Sequence, residues 1–184
     1  MPASAVSVVF LDDGGVLNDN DRRAVEWRRL LGEFFAPRLG GTPDAWAQAN
    51  SVVYEGIWDD WRLLQQRGED PGPSWWPDQD ERWLGGMCQR VGVPIPIDVP
   101  ATVRASRAYV MAHIDCAYPD AAPAIRAIHA MGITLHLASG GQTHELEPYL
   151  RRMGVRELID RPYGADLLGA NKLGRRYYGR IAED

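Results

Sequence analysis

An apolar, β-branched run occupies residues 5–11, A-V-S-V-V-F-L, and stops at Asp12-Asp13-Gly14-Gly15. A continuous run that ends in a Gly-rich turn predicts a strand of a parallel sheet, buried on both faces. From 21 to 39 the period changes. Val25, Leu30, Leu31, Phe34 and Phe35 recur at three- and four-residue spacing and predict a helix that ends at Gly40-Gly41. Thr42-Pro43 reads as an N-cap with proline at the first helical position. The helix it opens runs to 67, with Tyr54, Ile57, Trp58, Trp61 and Leu64 on one stripe. A Pro/Gly-rich loop over 68–77 and a helix over 78–90 follow. Residues 93–96, V-P-I-P, cannot be regular helix, and a further helix covers 99–113.

The pattern then alternates. A helix over 119–131 leads to a strand over 133–138, which ends at Ser139-Gly140-Gly141. A helix over 143–153 stops at Gly154, residues 156–160 lead into a loop, and 173–181 reads as a last helix. Strand, helix, strand, helix predicts an α/β fold around a parallel sheet. The division expected is a core of 1–18 and 115–184, interrupted by a helical lobe over 19–114. All seven tryptophans fall in that lobe and are expected mostly to form its core.

Composition narrows the picture. A chain of 184 residues allows one ordinary domain, or one carrying an inserted lobe. The net charge is −5 with signs mixed along the chain, which argues against a general nucleic-acid binder. No apolar run has the length of a membrane span, and no basic region precedes the first apolar stretch as in a secretory signal. A soluble cytoplasmic protein is the expectation, with Cys88 and Cys116 reduced and buried. Lys172 is the single lysine beside nineteen arginines.

Ligands of open parallel sheets bind at the carboxyl ends of the strands. One such end carries Asp12, and another carries Ser139, two glycines and a helix N-terminus near Thr143. A carboxylate facing a hydroxyl, backbone N–H groups and a positive helix end would handle an anion. Lys172, in a Gly-rich loop, would add a fixed positive charge. Asp12 would then attack a phosphate in two steps, through an acyl-phosphate. Each residue also has a plainer reading. Asp12 fits an ordinary turn, Ser139 a helix cap, Lys172 a solvated loop, and His144 an exposed helix position rather than a substrate contact.

These residues, in this order, resemble the haloacid dehalogenase (HAD) superfamily. Phe10-Leu11-Asp12-Asp13-Gly14-Gly15-Val16-Leu17 is similar to its first motif, a strand followed by Asp-x-Asp-Gly-[Thr/Val]-Leu. Leu135-His136-Leu137-Ala138-Ser139 is similar to the second, and Lys172 to the third. The resemblance implies a Rossmann-like parallel-sheet core with an inserted α-helical cap, hinged at 16–21 and 114–119. It implies Asp12 as nucleophile, Ser139 as a ligand of the transferring phosphoryl group, and Lys172 steadying both. Gly140, Gly141 and His144 would lie at the substrate. The Asp12 carboxylate and the Gly14 carbonyl would hold Mg²⁺.

The leading expectation is a Mg²⁺-dependent phosphatase acting on a small phosphorylated metabolite. Gly14 stands where the family's phosphatases carry a second Asp, which protonates the leaving group and activates water. Asp13 is the adjacent candidate to replace it. No strand with acidic residues follows Lys172, so the sequence reads as cut short ahead of the family's fourth motif. Two alternatives follow: a dehalogenase or phosphonatase-type hydrolase of the same superfamily, and a non-catalytic member acting as a binding protein. Neither the substrate nor the oligomeric state is legible in the chain.

Overall fold

The first apolar run forms β1 (Val8–Asp12). The computed structural model describes residues 6–69, 72, 74–172 and 175–184. Asp19 caps the helix that follows, α1 (Asn20–Leu39): its Oδ1 accepts from the backbone N–H groups of Asp21 and Arg22, at 2.9 and 3.1 Å. Helices α2 (Pro43–Gln66), α3 (Trp75–Asp78), α4 (Asp80–Val91) and α5 (Val99–His113) come next. The Thr42 hydroxyl accepts from the Ala45 N–H and opens α2, and the Asp98 carboxylate does the same for α5 through Ala101. The chain continues through α6 (Ala121–Ala130), β2 (Thr134–Ala138), α7 (Thr143–Arg152), a 3₁₀ turn (Arg156–Leu158), β3 (Arg161–Tyr163), α8 (Ala165–Leu168) and α9 (Arg175–Glu183). The start expected for the last helix, at 173–174, lies outside the described residues.

The chain divides into two units, Met1–Arg23 with Asp115–Asp184, and Ala24–Ile114. In the first unit three parallel strands pair in the order β1-β2-β3. Asp12 lies opposite Ala138, and Ala138 opposite Tyr163, so the three carboxyl ends are level. Leu135 and Leu137 of β2 pack with Ile125 of α6 and with Leu146 and Leu150 of α7, and Val9 and Leu11 of β1 close against them. On the opposite face Val8 is 42% and Phe10 47% exposed. This corrects the expectation of a strand buried on both sides. β1 is an edge strand of the described sheet, and Phe10 is covered only in part, by stacking on His136. β3 is also a correction, since 156–160 reads simply as the lead into a loop. Three residues with a central proline show no period, and Pro162 sits where an edge strand tolerates a missing N–H.

The second unit is helical. Phe35 stacks on Trp46 with ring centroids 4.7 Å apart, and Leu30, Leu31, Leu84 and Met87 are buried. The buried indoles find acceptors: Trp46 Nε1 donates to the Gly40 carbonyl at 2.8 Å, and Trp83 Nε1 to Asn50 Oδ1 at 2.9 Å. Trp46, Trp61 and Trp83 are buried, but Trp27, Trp58, Trp75 and Trp76 are only partly so, fewer core tryptophans than the composition suggested. Trp75 and Trp76, adjacent in one short turn, both pack on Trp61, and Trp76 also meets Trp58.

Gly32 shows how tightly the start of α2 is pressed to α1. A Cβ there would lie 2.5 Å from the Pro43 carbonyl oxygen. Alanine in mid-helix ordinarily gains about 1 kcal/mol over glycine. Here overpacking wins, and Gly32→Ala should cost about 1–3 kcal/mol, read by urea denaturation; a stabilised variant would refute the contact.

Cys88 and Cys116 are unpaired and buried. Among the described residues no helix is long and apolar enough to cross a membrane.

Candidate active site

The level strand ends dictate the site. Asp12 is the last residue of β1, and its side chain is 45% exposed. Its Oδ1 accepts from the Asp13 backbone N–H at 2.7 Å and is contacted by Lys172 Nζ. Lys172 reaches it from the loop between α8 and α9 and is itself mostly buried. Ser139 follows Ala138, one step beyond the level of Asp12. Its Oγ accepts from the Gly141 N–H at 3.1 Å and donates to Asp13 Oδ2 at 3.4 Å. A Cβ on Gly140 would lie 3.8 Å from Lys172 Cβ, so this glycine backs directly on the lysine stem.

The turn after β1 is built around Asp13, which is 3% exposed. Its carbonyl accepts from the backbone N–H groups of Leu17 and Asn18, at 3.0 and 3.1 Å. Its carboxylate accepts from Asn18 Nδ2 and, at 3.0 Å, from Arg23 Nη1. Gly15, at φ +79°, supplies the left-handed residue this turn needs. Burial opposes the Arg23 charge, but the Asp13 carboxylate outweighs it and holds the guanidinium pKa above its ordinary value. Asp13 is therefore an anchor turned inward, which corrects the idea that it replaces an acid missing at position 14.

The start of α7 also differs from expectation. Thr143 donates its backbone N–H and its hydroxyl to Asp166 Oδ1, at 2.7 and 2.8 Å. Burial works to raise the Asp166 carboxyl, but these two bonds prevail and hold it below the usual carboxylate range. The helix end is thus neutralised by the protein's own carboxylate instead of standing open to an anion. His144 Nδ1 lies 3.8 Å from Asp166 Oδ2, and no described contact links it to Asp12, Ser139 or Lys172. The structure accordingly gathers Asp12, Lys172, Ser139 and Gly140, with Gly141 tied to Ser139, and draws His144 aside.

Sequence reading missed two supporting residues. Tyr177 is fully buried on α9, and its hydroxyl lies 3.0 Å from the Ser139 carbonyl and 2.8 Å from that of Tyr163, clamping both strand ends. Arg23 is the other. Neither carries a local signal, because each acts across the fold. The groups expected to hold a metal are the Asp12 carboxylate, which is half open to solvent, and the Gly14 carbonyl. Among the described residues no group of three or more His, Cys, Asp or Glu is placed to hold a metal ion. Two hard oxygens suit Mg²⁺ when water and substrate phosphate complete the shell.

Comparison with known proteins bears on this arrangement. The fold is similar to that of YfnB of Bacillus subtilis, assigned as a HAD-hydrolase and solved with magnesium bound: 16% identity, TM-score 0.65, covering 98% of this chain and 72% of that one. It is similar to the L-2-haloacid dehalogenase of Xanthobacter autotrophicus, at 16% identity and TM-score 0.60, covering 97% of this chain and 64% of the other. It is also similar to a protein of Haemophilus somnus 129PT assigned as a phosphoglycolate phosphatase, at 14% identity and TM-score 0.58, covering 98% and 72%. At these identities the likeness concerns the fold alone. Among curated proteins none matches. The family model of haloacid dehalogenase-like hydrolases matches residues 6–184, and the chain belongs to that family.

Proposed function

We propose that this hydrolase uses the Asp12 carboxylate as a nucleophile on a small phosphorylated metabolite. The observation that carries the reading is the Lys172 ammonium on Asp12 Oδ1, at a strand end open to solvent. An Asp12 oxygen bonds to phosphorus, the bond from phosphorus to the leaving oxygen breaks, and an aspartyl phosphate remains. Water then attacks phosphorus, which releases phosphate and restores Asp12. Lys172 steadies the charge on the carboxylate and on the phosphoryl oxygens. The Ser139 hydroxyl proton, directed at Asp13 across 3.4 Å, can turn to a phosphoryl oxygen while Oγ keeps the Gly141 N–H. Gly140 lets substrate approach the backbone beside Lys172. Mg²⁺, held by Asp12 and the Gly14 carbonyl, would neutralise phosphoryl charge.

Gly14 favours a second reading, displacement of halide from a 2-haloacid. Halide leaves without a proton, and carboxylate attack on carbon needs no metal. Single turnover in isotope-labelled water separates the two. Para-nitrophenyl phosphate should place the label in released phosphate. Chloropropionate should place it in the Asp12 carboxylate, because water then attacks the ester carbonyl. Label in neither product would overturn the nucleophilic reading and leave a binding role.

A further inference from the structure

Asn20, the first residue of α1, turns its side chain back over the glycine turn that follows the nucleophile. A Cβ on Gly14 would lie 3.1 Å from Asn20 Oδ1, and one on Gly15 would lie 3.4 Å from Asn20 Nδ2. The amide therefore occupies the space that a side chain at position 14 would enter. Asn20 is exposed, and no hydrogen bond ties its amide to another described residue. The backbone that carries it is nonetheless held. Asp19 caps the helix it begins, and Arg23, one turn further on, is paired with Asp13.

Asp13, Asp19 and His144 are engaged elsewhere. Asp13 is buried against Arg23 and Asn18, Asp19 is spent on its cap, and His144 faces Asp166. The polar group that the described residues place over the turn is an amide, which donates and accepts hydrogen bonds but has no proton to give at neutral pH.

We infer that Asn20 meets the leaving group, as a hydrogen-bond partner that transfers no proton. This rests on the reading of Asp12 as the nucleophile. When the Asp12 oxygen bonds to phosphorus, the electron pair of the breaking P–O bond departs with the leaving oxygen. Asn20 Nδ2–H hydrogen-bonds to that oxygen, and a solvent water protonates it afterwards. The substrate class follows: phosphates whose leaving group is stable as an anion, such as acyl, enol or aryl phosphates, in preference to alkyl phosphates.

The test is kcat/KM of the full chain on substituted phenyl phosphates of graded phenol acidity. Wild type should lose about tenfold or more per unit of phenol pKa, as expected without a general acid. Asn20→Ala should lower every member by about tenfold at unchanged slope, the loss of one hydrogen bond. Asn20→Asp should flatten the slope and add an alkaline limb to the pH profile, as its carboxyl begins to supply the proton. A shallow slope in wild type would overturn the inference while Asp12-dependent turnover still stood. So would an Asn20→Asp enzyme with the slope and pH profile of wild type. Absence of turnover on every member would overturn the nucleophilic phosphatase reading and this inference with it.

Discussion

Asp12→Asn should lower turnover of phosphate esters by about 10⁴-fold or more, the scale seen when a covalent nucleophile is removed. The amide keeps the shape of the side chain and still accepts the Asp13 N–H, which now meets Oδ1 at 2.7 Å. It lacks the charge and the electron pair that bond to phosphorus. Lys172 loses its counter-charge, but the Asp12 side chain is 45% exposed, and a half-solvated pair is worth about 1 kcal/mol or less. Stability should therefore scarcely change while kcat collapses. Lys172→Met should act more mildly, by about 10²–10³-fold, as expected for one lost electrostatic donor. Steady-state kinetics on para-nitrophenyl phosphate, with thermal denaturation as control, decides both. An Asp12→Asn protein of near-normal kcat would rule out the nucleophilic role.

Asp13→Ala should instead strike stability. The Asp13 side chain is 4% exposed, and it receives Arg23 at 3.0 Å together with Asn18. Its removal leaves the Arg23 guanidinium without its acceptor, while the Asn18 amide keeps the Asp13 carbonyl at 3.2 Å. Breaking a buried pair by deleting one partner costs about 3–5 kcal/mol. The Arg23 side chain keeps 27% of its exposure, so water recovers part of the loss, and about 3 kcal/mol is the expected figure. That is a large share of a typical stability of about 5–15 kcal/mol. Asp13→Ala/Arg23→Met should be less damaged than Asp13→Ala alone, because it strands no charge. Urea unfolding of the three variants measures this. A loss under about 1 kcal/mol for Asp13→Ala would show that the turn does not depend on its carboxylate.

Much of the fold is legible in local pattern. The change from an apolar run to a three- and four-residue period separates β1 from α1, and Thr42-Pro43 marks the start of α2. Strand ends followed by glycines also direct attention to Asp12 and Ser139 by topology alone. The readings of secondary-structure elements succeed because periodicity, capping and turn chemistry act within a few residues of one another.

What only the tertiary structure decided involves partners far apart in the chain. Whether β1 is buried on both faces depends on what covers Phe10, and the covering ring, His136, lies on another strand. β3 is too short to show a period, and only its pairing with β2 makes it a strand. Asp12 and Asp13 are neighbours of one residue type, yet one meets solvent and Lys172 while the other is locked to Arg23 and Asn18. The anion-binding capacity expected of α7 is answered by Asp166, 23 residues from Thr143, and Ser139 meets Asp13 across 126 residues. Residue order alone singled out Asp12, Ser139 and Lys172 and the strand ends near which the first two lie. Strand register and long-range packing decided which of those groups remain free to act, because burial and hydrogen-bond partners are properties of neighbours in space.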